Sequence, residues 1–179
     1  YTDAGFWKVF TFRFLHGKPF TQADIDAKHR EVVLPVSVAR KLFATDDVVG
    51  RRFNMDAQEY RVCGVVEDVS AATPSSVGDM WLPITLNSWV TSDTTGKLVG
   101  SVGIYMTAPD AEDKEALKEE VREVFRKLNL ASDKYMNDLM GQPDDYWAST
   151  FRFDSCSAPD LASELRMYLY MLLALLFIP

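Results

Sequence analysis

Hydrophobic and polar positions alternate most cleanly between Arg52 and Val69. Arg52–Met55 and Tyr60–Val69 read as the arms of a β-hairpin turning at Asp56-Ala57-Gln58-Glu59. The period of two places Tyr60, Val62 and Gly64 on one face, and Arg61, Cys63 and Val65 on the other. Upstream, Phe6–Leu15 mixes helical and alternating spacing, which predicts a helical turn followed by a strand. His16-Gly17-Lys18-Pro19 predicts a turn. Thr21-Gln22-Ala23-Asp24 predicts a capping box with a shortened acid, leading a helical turn over 22–27. Val32-Val33-Leu34 predicts a strand, and Ser37 the cap of a helix ending at Phe43, with Val38, Leu42 and the neighbouring Phe43 on one side. Asp79–Ile84 predicts a short strand that closes at Pro83. Val38, Leu42, Val62, Val65 and Trp81 are the expected core of this region.

The pattern changes after a polar loop at Thr91–Lys97. Ser101–Thr107 alternates Val102, Ile104 and Met106, which predicts a strand. Asp110 is the expected N-cap of a helix over 111–128, whose stripe is Leu117, Val121, Val124, Phe125 and Leu128. A second helix over 132–140 and a short strand at Phe151–Phe153 follow. From Pro159-Asp160 a last helix is expected, ending in Met167–Pro179, which carries no charge. That run is apolar on all faces and opens with Tyr168 and Tyr170, residues suited to a membrane interface. A bilayer core takes about 20 apolar residues to cross. Residues 161–179 are therefore expected to be the start of a transmembrane helix, the alternative being a buried core helix. The chain opens on Tyr1 without an initiator Met, and a longer protein is expected around it.

Composition narrows the function classes. Hydrophobic residues make up 47% and charged residues 25%, as in an ordinary packed domain, and 179 residues give room for one domain or two lobes. A formal net charge of −7 argues against a nucleic-acid surface. Cys63 and Cys156 could pair in an oxidising compartment, but the apolar strand around Cys63 favours a buried thiol.

Motifs for catalysis are scarce. His16 and His29 lack helical metal-ligand spacing and read as turn or surface residues. No glycine-rich phosphate loop and no nucleophile elbow occurs. Asp46-Asp47 and Asp144-Asp145 read as solvated loop acids. Arg51-Arg52 is a weak anion-binding candidate. No catalytic, cofactor-binding or metal-binding residue is predicted, and an enzyme is not expected.

Five segments in order carry the most specific signal. They are Phe14–Thr21, with Gly17-Lys18-Pro19-Phe20-Thr21; Val32–Phe43, with Ser37-Val38-Ala39-Arg40-Lys41-Leu42-Phe43; Val49-Gly50-Arg51-Arg52-Phe53; Tyr60–Val69; and Asp79-Met80-Trp81-Leu82-Pro83. Together they resemble the extracytoplasmic core domain of MacB/FtsX-type ABC transporter permeases. Lys18 stands where the family has Arg, and Cys63 where it has Val. The resemblance covers about 70 residues and fades after residue 90, where only the strand–helix order and the final apolar run fit.

The resemblance implies an α/β (α+β) fold with mixed sheets in two lobes. Residues 1–160 would be the core domain. A distal lobe would span 16–85, and a membrane-proximal lobe, to which the family adds further residues before a position like Tyr1, would combine 1–15 with 86–160. It implies a cell inner (cytoplasmic) membrane protein with this domain on the periplasmic side. The implied partners are a second permease subunit in a dimer, a cytoplasmic ABC ATPase, the membrane, and a periplasmic or outer-membrane protein. The implied function couples ATP-driven movement of membrane helices to export or extraction of a substrate, without catalysis or cofactors in this chain. A ligand-binding sensor domain of a membrane-anchored signalling protein is the alternative.

Overall fold

The computed structural model describes residues 1–73, 75–91, 102–131, 143–145, 148–149 and 161–175. The elements are α1 (Phe6–Val9), β1 (Phe14–Gly17), α2 (Gln22–Asp26), β2 (Glu31–Pro35), α3 (Val36–Phe43), β3 (Arg52–Met55), β4 (Gln58–Val66), a 3₁₀ turn (Ile84–Leu86), α4 (Ser88–Thr91), α5 (Ala111–Ala131) and α6 (Leu161–Leu175). The fold is mixed α+β. Two compact units divide the chain, Tyr1–Met106 and Thr107–Pro179.

In the first unit a mixed sheet forms around β4. Along one edge β4 pairs in parallel with β2; along the other it pairs antiparallel with β3 at its start and β1 at its end. The hairpin is tighter than the alternation suggested. Met55 pairs with Gln58, so the turn is Asp56-Ala57 alone, with both residues at positive φ as in a type I′ turn. His16 and Gly17 belong to β1 and face Val65 and Gly64, so they are not part of the predicted turn.

A bulge corrects the predicted faces of β4. Val32 pairs with Val62 but Val33 with Gly64, which leaves one extra residue on β4. An extra residue reverses the alternation beyond it. Val65 therefore joins Tyr60 and Val62 in one core with Leu34, Ala39 and Val48, while Cys63 and Val66 face the opposite core with Phe20 and Trp81.

Two glycines make the close approach of β1 and β4 geometrically feasible. Gly17 has φ +68°, and a Cβ there would lie 2.2 Å from the Cys63 carbonyl oxygen. A Cβ on Gly64 would lie 2.7 Å from the Phe14 ring and 2.8 Å from the Lys18 carbonyl oxygen. Both sit in the segments that carried the family resemblance.

Helix α3 packs on the first core. It begins at Val36, so the predicted cap at Ser37 is displaced by a longer-range one: the Ser37 amide donates to Asp68 Oδ1 at 3.1 Å. Its inward positions are Val36, Val38, Ala39 and Phe43. Val38 is half-buried, whereas Leu42 is 49% exposed, contrary to expectation. The inward stripe that runs from Val36 through Ala39 to Phe43 leaves Leu42 beside it. Val62, Val65 and Trp81 are buried as predicted.

The opposite core is aromatic. Trp7 packs against Phe6, Phe12, Phe14, Phe20 and Trp81, with ring centroids 5.3–6.1 Å apart. Thr2 is tied to the return segment by its amide, which donates to the Leu82 carbonyl at 2.8 Å. The predicted strand at Asp79–Ile84 forms only bridges, Val33 with Trp81 and Thr2 with Pro83. Pro83 has no amide to extend a ladder, and Ile84 starts the 3₁₀ turn.

Val102–Thr107 forms no strand, and Val102, Ile104 and Met106 are 50%, 79% and 52% exposed. An alternating pattern becomes a strand only where an edge pairs with it. In the second unit, α5 runs slightly past its predicted end, and Asp110 caps it by accepting from the Asp113 amide at 2.9 Å. Its outer face carries the pairs Arg122–Glu119 and Arg126–Glu123. No helix among the described residues is long and apolar enough to cross a membrane. The predicted helix at 132–140, the strand at Phe151–Phe153, Cys156 and most of the Thr91–Lys97 loop lie outside the described residues.

Candidate functional site

The charged residues collect at one end of the sheet. The register aligns Arg52 of β3, Arg61 of β4 and Glu31 of β2 in one row. Two arginines directly opposite repel unless acids neutralise them. Here Arg61 pairs with Glu31, and Arg52 pairs with Glu59 at 2.7 Å. The Glu31 carboxylate raises the Arg61 guanidinium further above its already high value, through their hydrogen bond first. A cavity of about 280 Å³ opens here, lined by His29, Arg30, Glu31, Arg52, Glu59 and Arg61.

Beside that row the structure brings together three groups that the sequence did not associate. Oxygen or nitrogen atoms of Asp24, His29 and Glu31 lie within 4.8 Å of one another. Asp24 is set by the capping box, which forms as predicted: its Oδ2 accepts from the Thr21 amide at 2.8 Å and hydroxyl at 2.6 Å. Those bonds hold its carboxyl down at about 2, with His29 adding a smaller effect. Its Oδ1 lies 3.1 Å from His29 Nδ1. Glu31 is only 4% exposed. His29 is exposed, as expected of a surface histidine, but its imidazole is engaged rather than solvated alone. Spacing gave no signal because the three residues meet through the end of α2 and the start of β2. The acid at the fourth capping-box position, five residues before a histidine, was the available clue.

The remaining candidates are structural in their surroundings. His16 Nε2 lies 3.8 Å from Asp46, which is clamped by Arg40 at 2.5 Å and thereby held below the usual carboxylate range. Asp47 donates its amide to Thr45. Asp145 accepts from the Ala148 amide and lies 3.8 Å from Lys114. Arg51 and Arg52 diverge: Arg51 sits over the Phe43 ring at 5.8 Å, and Arg52 pairs with Glu59. The Cys63 thiol is free, donates to the Val32 carbonyl at 3.4 Å, and is pushed well up by burial.

A larger cavity of about 600 Å³ lies within the first unit, between the N-terminal segment, the Trp81 segment and Val102–Tyr105. Phe6, Met80, Trp81 and Tyr105 supply its apolar walls, and Thr2, Asp3 and Ser75 its polar ones. Separately, Leu165, Leu169, Tyr170, Met171, Leu172 and Leu173 of α6 are 43–66% exposed.

The fold and the sequence profile together point to a domain class found outside the membrane in ABC permeases. Residues 1–124 match the sequence profile of the MacB-like periplasmic core domain. The chain belongs to that family, a periplasmic domain of ABC transporter permease-type proteins. The periplasmic region of MacB from Actinobacillus actinomycetemcomitans is 20% identical, with a TM-score of 0.51 over 70% of this chain and 54% of that one. The extracellular domain of the noncanonic ABC-type transporter YknZ from Gram-positive bacteria is 21% identical, with a TM-score of 0.49 over 71% and 60%. A domain of a putative permease protein from Porphyromonas gingivalis is 20% identical, with a TM-score of 0.48 over 74% and 58%. The chain thus aligns with little more than half the length of each of these structures. No curated protein matches it.

Proposed function

We propose that this chain is the extracytoplasmic domain of an inner-membrane ABC permease, and that it couples ATP-driven movement of membrane helices to export or extraction of a substrate. The observation that carries this reading is the family match over residues 1–124. The domain contributes shape and contact, and it catalyses nothing. Its partners are a second permease subunit, a cytoplasmic ABC ATPase, the bilayer, and a periplasmic or outer-membrane protein. Residues 161–179 begin a transmembrane helix, a reading supported by the exposed apolar side chains of α6. Residues 16–85 form the distal lobe, and 1–15 with 86–160 the membrane-proximal one.

The test is movement. In the full-length permease, made free of other cysteines and reconstituted with its ATPase, spin labels go at the exposed positions Glu67 and Glu115. The distance distribution is read by pulsed electron spin resonance with and without ATP. A shifted distribution is expected. An unchanged one, with ATP hydrolysis intact, contradicts coupling through this domain.

A second reading, a ligand-binding sensor domain, draws on the cavity of about 600 Å³ with its mixed lining. A distance shift produced by a small ligand and not by ATP would favour it.

A further inference from the structure

We propose that Asp24, His29 and Glu31 form a binding site for a divalent transition-metal ion, with Zn²⁺ the best match to their donor chemistry. The inference is independent of the transport reading. Its basis is the convergence of one imidazole and two carboxylates with ligand atoms within 4.8 Å. Two ionised carboxylates this close repel, and a cation between them removes that cost. At present the Arg61 guanidinium on Glu31 fills that role, and His29 Nδ1 lies 3.1 Å from Asp24 Oδ1.

Each donor is placed by a different part of the fold. The capping box holds Asp24 through Oδ2, so that Oδ1 is the atom turned to His29 at 3.1 Å. Glu31 is fixed on β2, opposite Arg61, and is nearly fully buried. His29 is the exposed member, at the mouth. The cavity of about 280 Å³ on which His29 and Glu31 open is an entry path, and it gives the Arg61 side chain room to leave Glu31. A nitrogen and two oxygen donors suit a borderline ion such as Zn²⁺; Ca²⁺ takes six to eight oxygens and gains little from imidazole.

The experiment is calorimetric titration of ZnCl₂ into the metal-stripped 179-residue chain, with CaCl₂ as comparison and thermal unfolding in parallel. The expected result is one saturable Zn²⁺ site and a raised melting temperature. Binding should weaken about tenfold or more in His29→Gln and in Glu31→Gln, since even outer-shell losses cost that much. Glu120→Gln, on the exposed face of α5, should bind as the parent does. His29 is at the surface, so His29→Gln keeps the fold even if Glu31→Gln does not, and circular dichroism checks both. No saturable heat would overturn the proposal. Equal affinity in the parent and His29→Gln would overturn it too, by showing adventitious binding elsewhere.

Discussion

The unit Tyr1–Met106 and the unit Thr107–Pro179 solve the problem of apolar surface differently. The first encloses it: among its described residues thirteen hydrophobic ones are buried, in two cores on opposite faces of one sheet. In the second no described side chain is buried, and Val124, Leu128, Leu130 and six apolar residues of α6 stand 40–75% exposed. Sequence composition alone does not separate the two, because both carry good apolar patterns. The difference lies in whether those patterns meet partners within the chain. The first unit can therefore carry its own stability, while the described part of the second leaves apolar surface open; on the proposed function that surface is what meets the bilayer and other subunits.

The largest way to break this contrast is one charge placed in each unit. Val65→Asp puts an unpaired carboxylate in the first core and should cost about 3 kcal/mol or more in urea unfolding. Val124→Asp, on the open side of α5, should stay within about 0.5 kcal/mol. Equal losses would mean that α5 is as enclosed as the sheet. Gly17→Ala comes next. It forces a Cβ against the Cys63 carbonyl at a positive φ, and about 2 kcal/mol of destabilisation is expected in the same assay. A neutral outcome would show that β1 can slide along β4.

Smaller effects sharpen the account of how the first unit is held. Asp68→Ala removes the acceptor for the Ser37 amide, and about 1 kcal/mol should be lost, with Asp68→Asn recovering most of it. Equal losses in both would assign Asp68 a role other than capping. The smallest expected effect is on acid stability. Asp24 titrates at about 2 in the fold, below its ordinary value, so its contribution is complete above about pH 4 and is lost as pH falls toward 2. Asp24→Asn should flatten that part of the stability–pH curve and leave the neutral region parallel. A curve unchanged in slope would contradict the capping-box origin of the shift.

Much of the first unit was legible in the sequence because its cues are local. Alternation located the hairpin, and Thr21 with Asp24 announced the cap of α2. Where the reading failed, a single long-range feature decided the outcome. The bulge opposite Val32 and Val33 moved Val65 to the other core, and no local pattern encodes an unpaired residue. Asp68 replaced Ser37 as a cap across 31 residues of sequence. Leu42 satisfied the helical period but lay beside a stripe whose phase was set by the sheet. The Asp24, His29 and Glu31 cluster was illegible for the same reason, since α2 and β2 must be in place before its donors meet. At the end of the first unit Val102–Met106 had a strand's pattern but forms no strand, and in the second unit α5 and α6 were predictable.

The central claim joins two parts: the first unit stands by its own core and, on the proposed function, the apolar tail serves the membrane. Size-exclusion chromatography with light scattering, followed by thermal unfolding, should compare the 179-residue chain with one ending at Asp160. The account predicts that the shortened chain is more monomeric and more soluble, and unfolds as cooperatively as before, at the same temperature. Loss of cooperative unfolding on removal of residues 161–179 would contradict it, because the tail would then be a core helix of the domain.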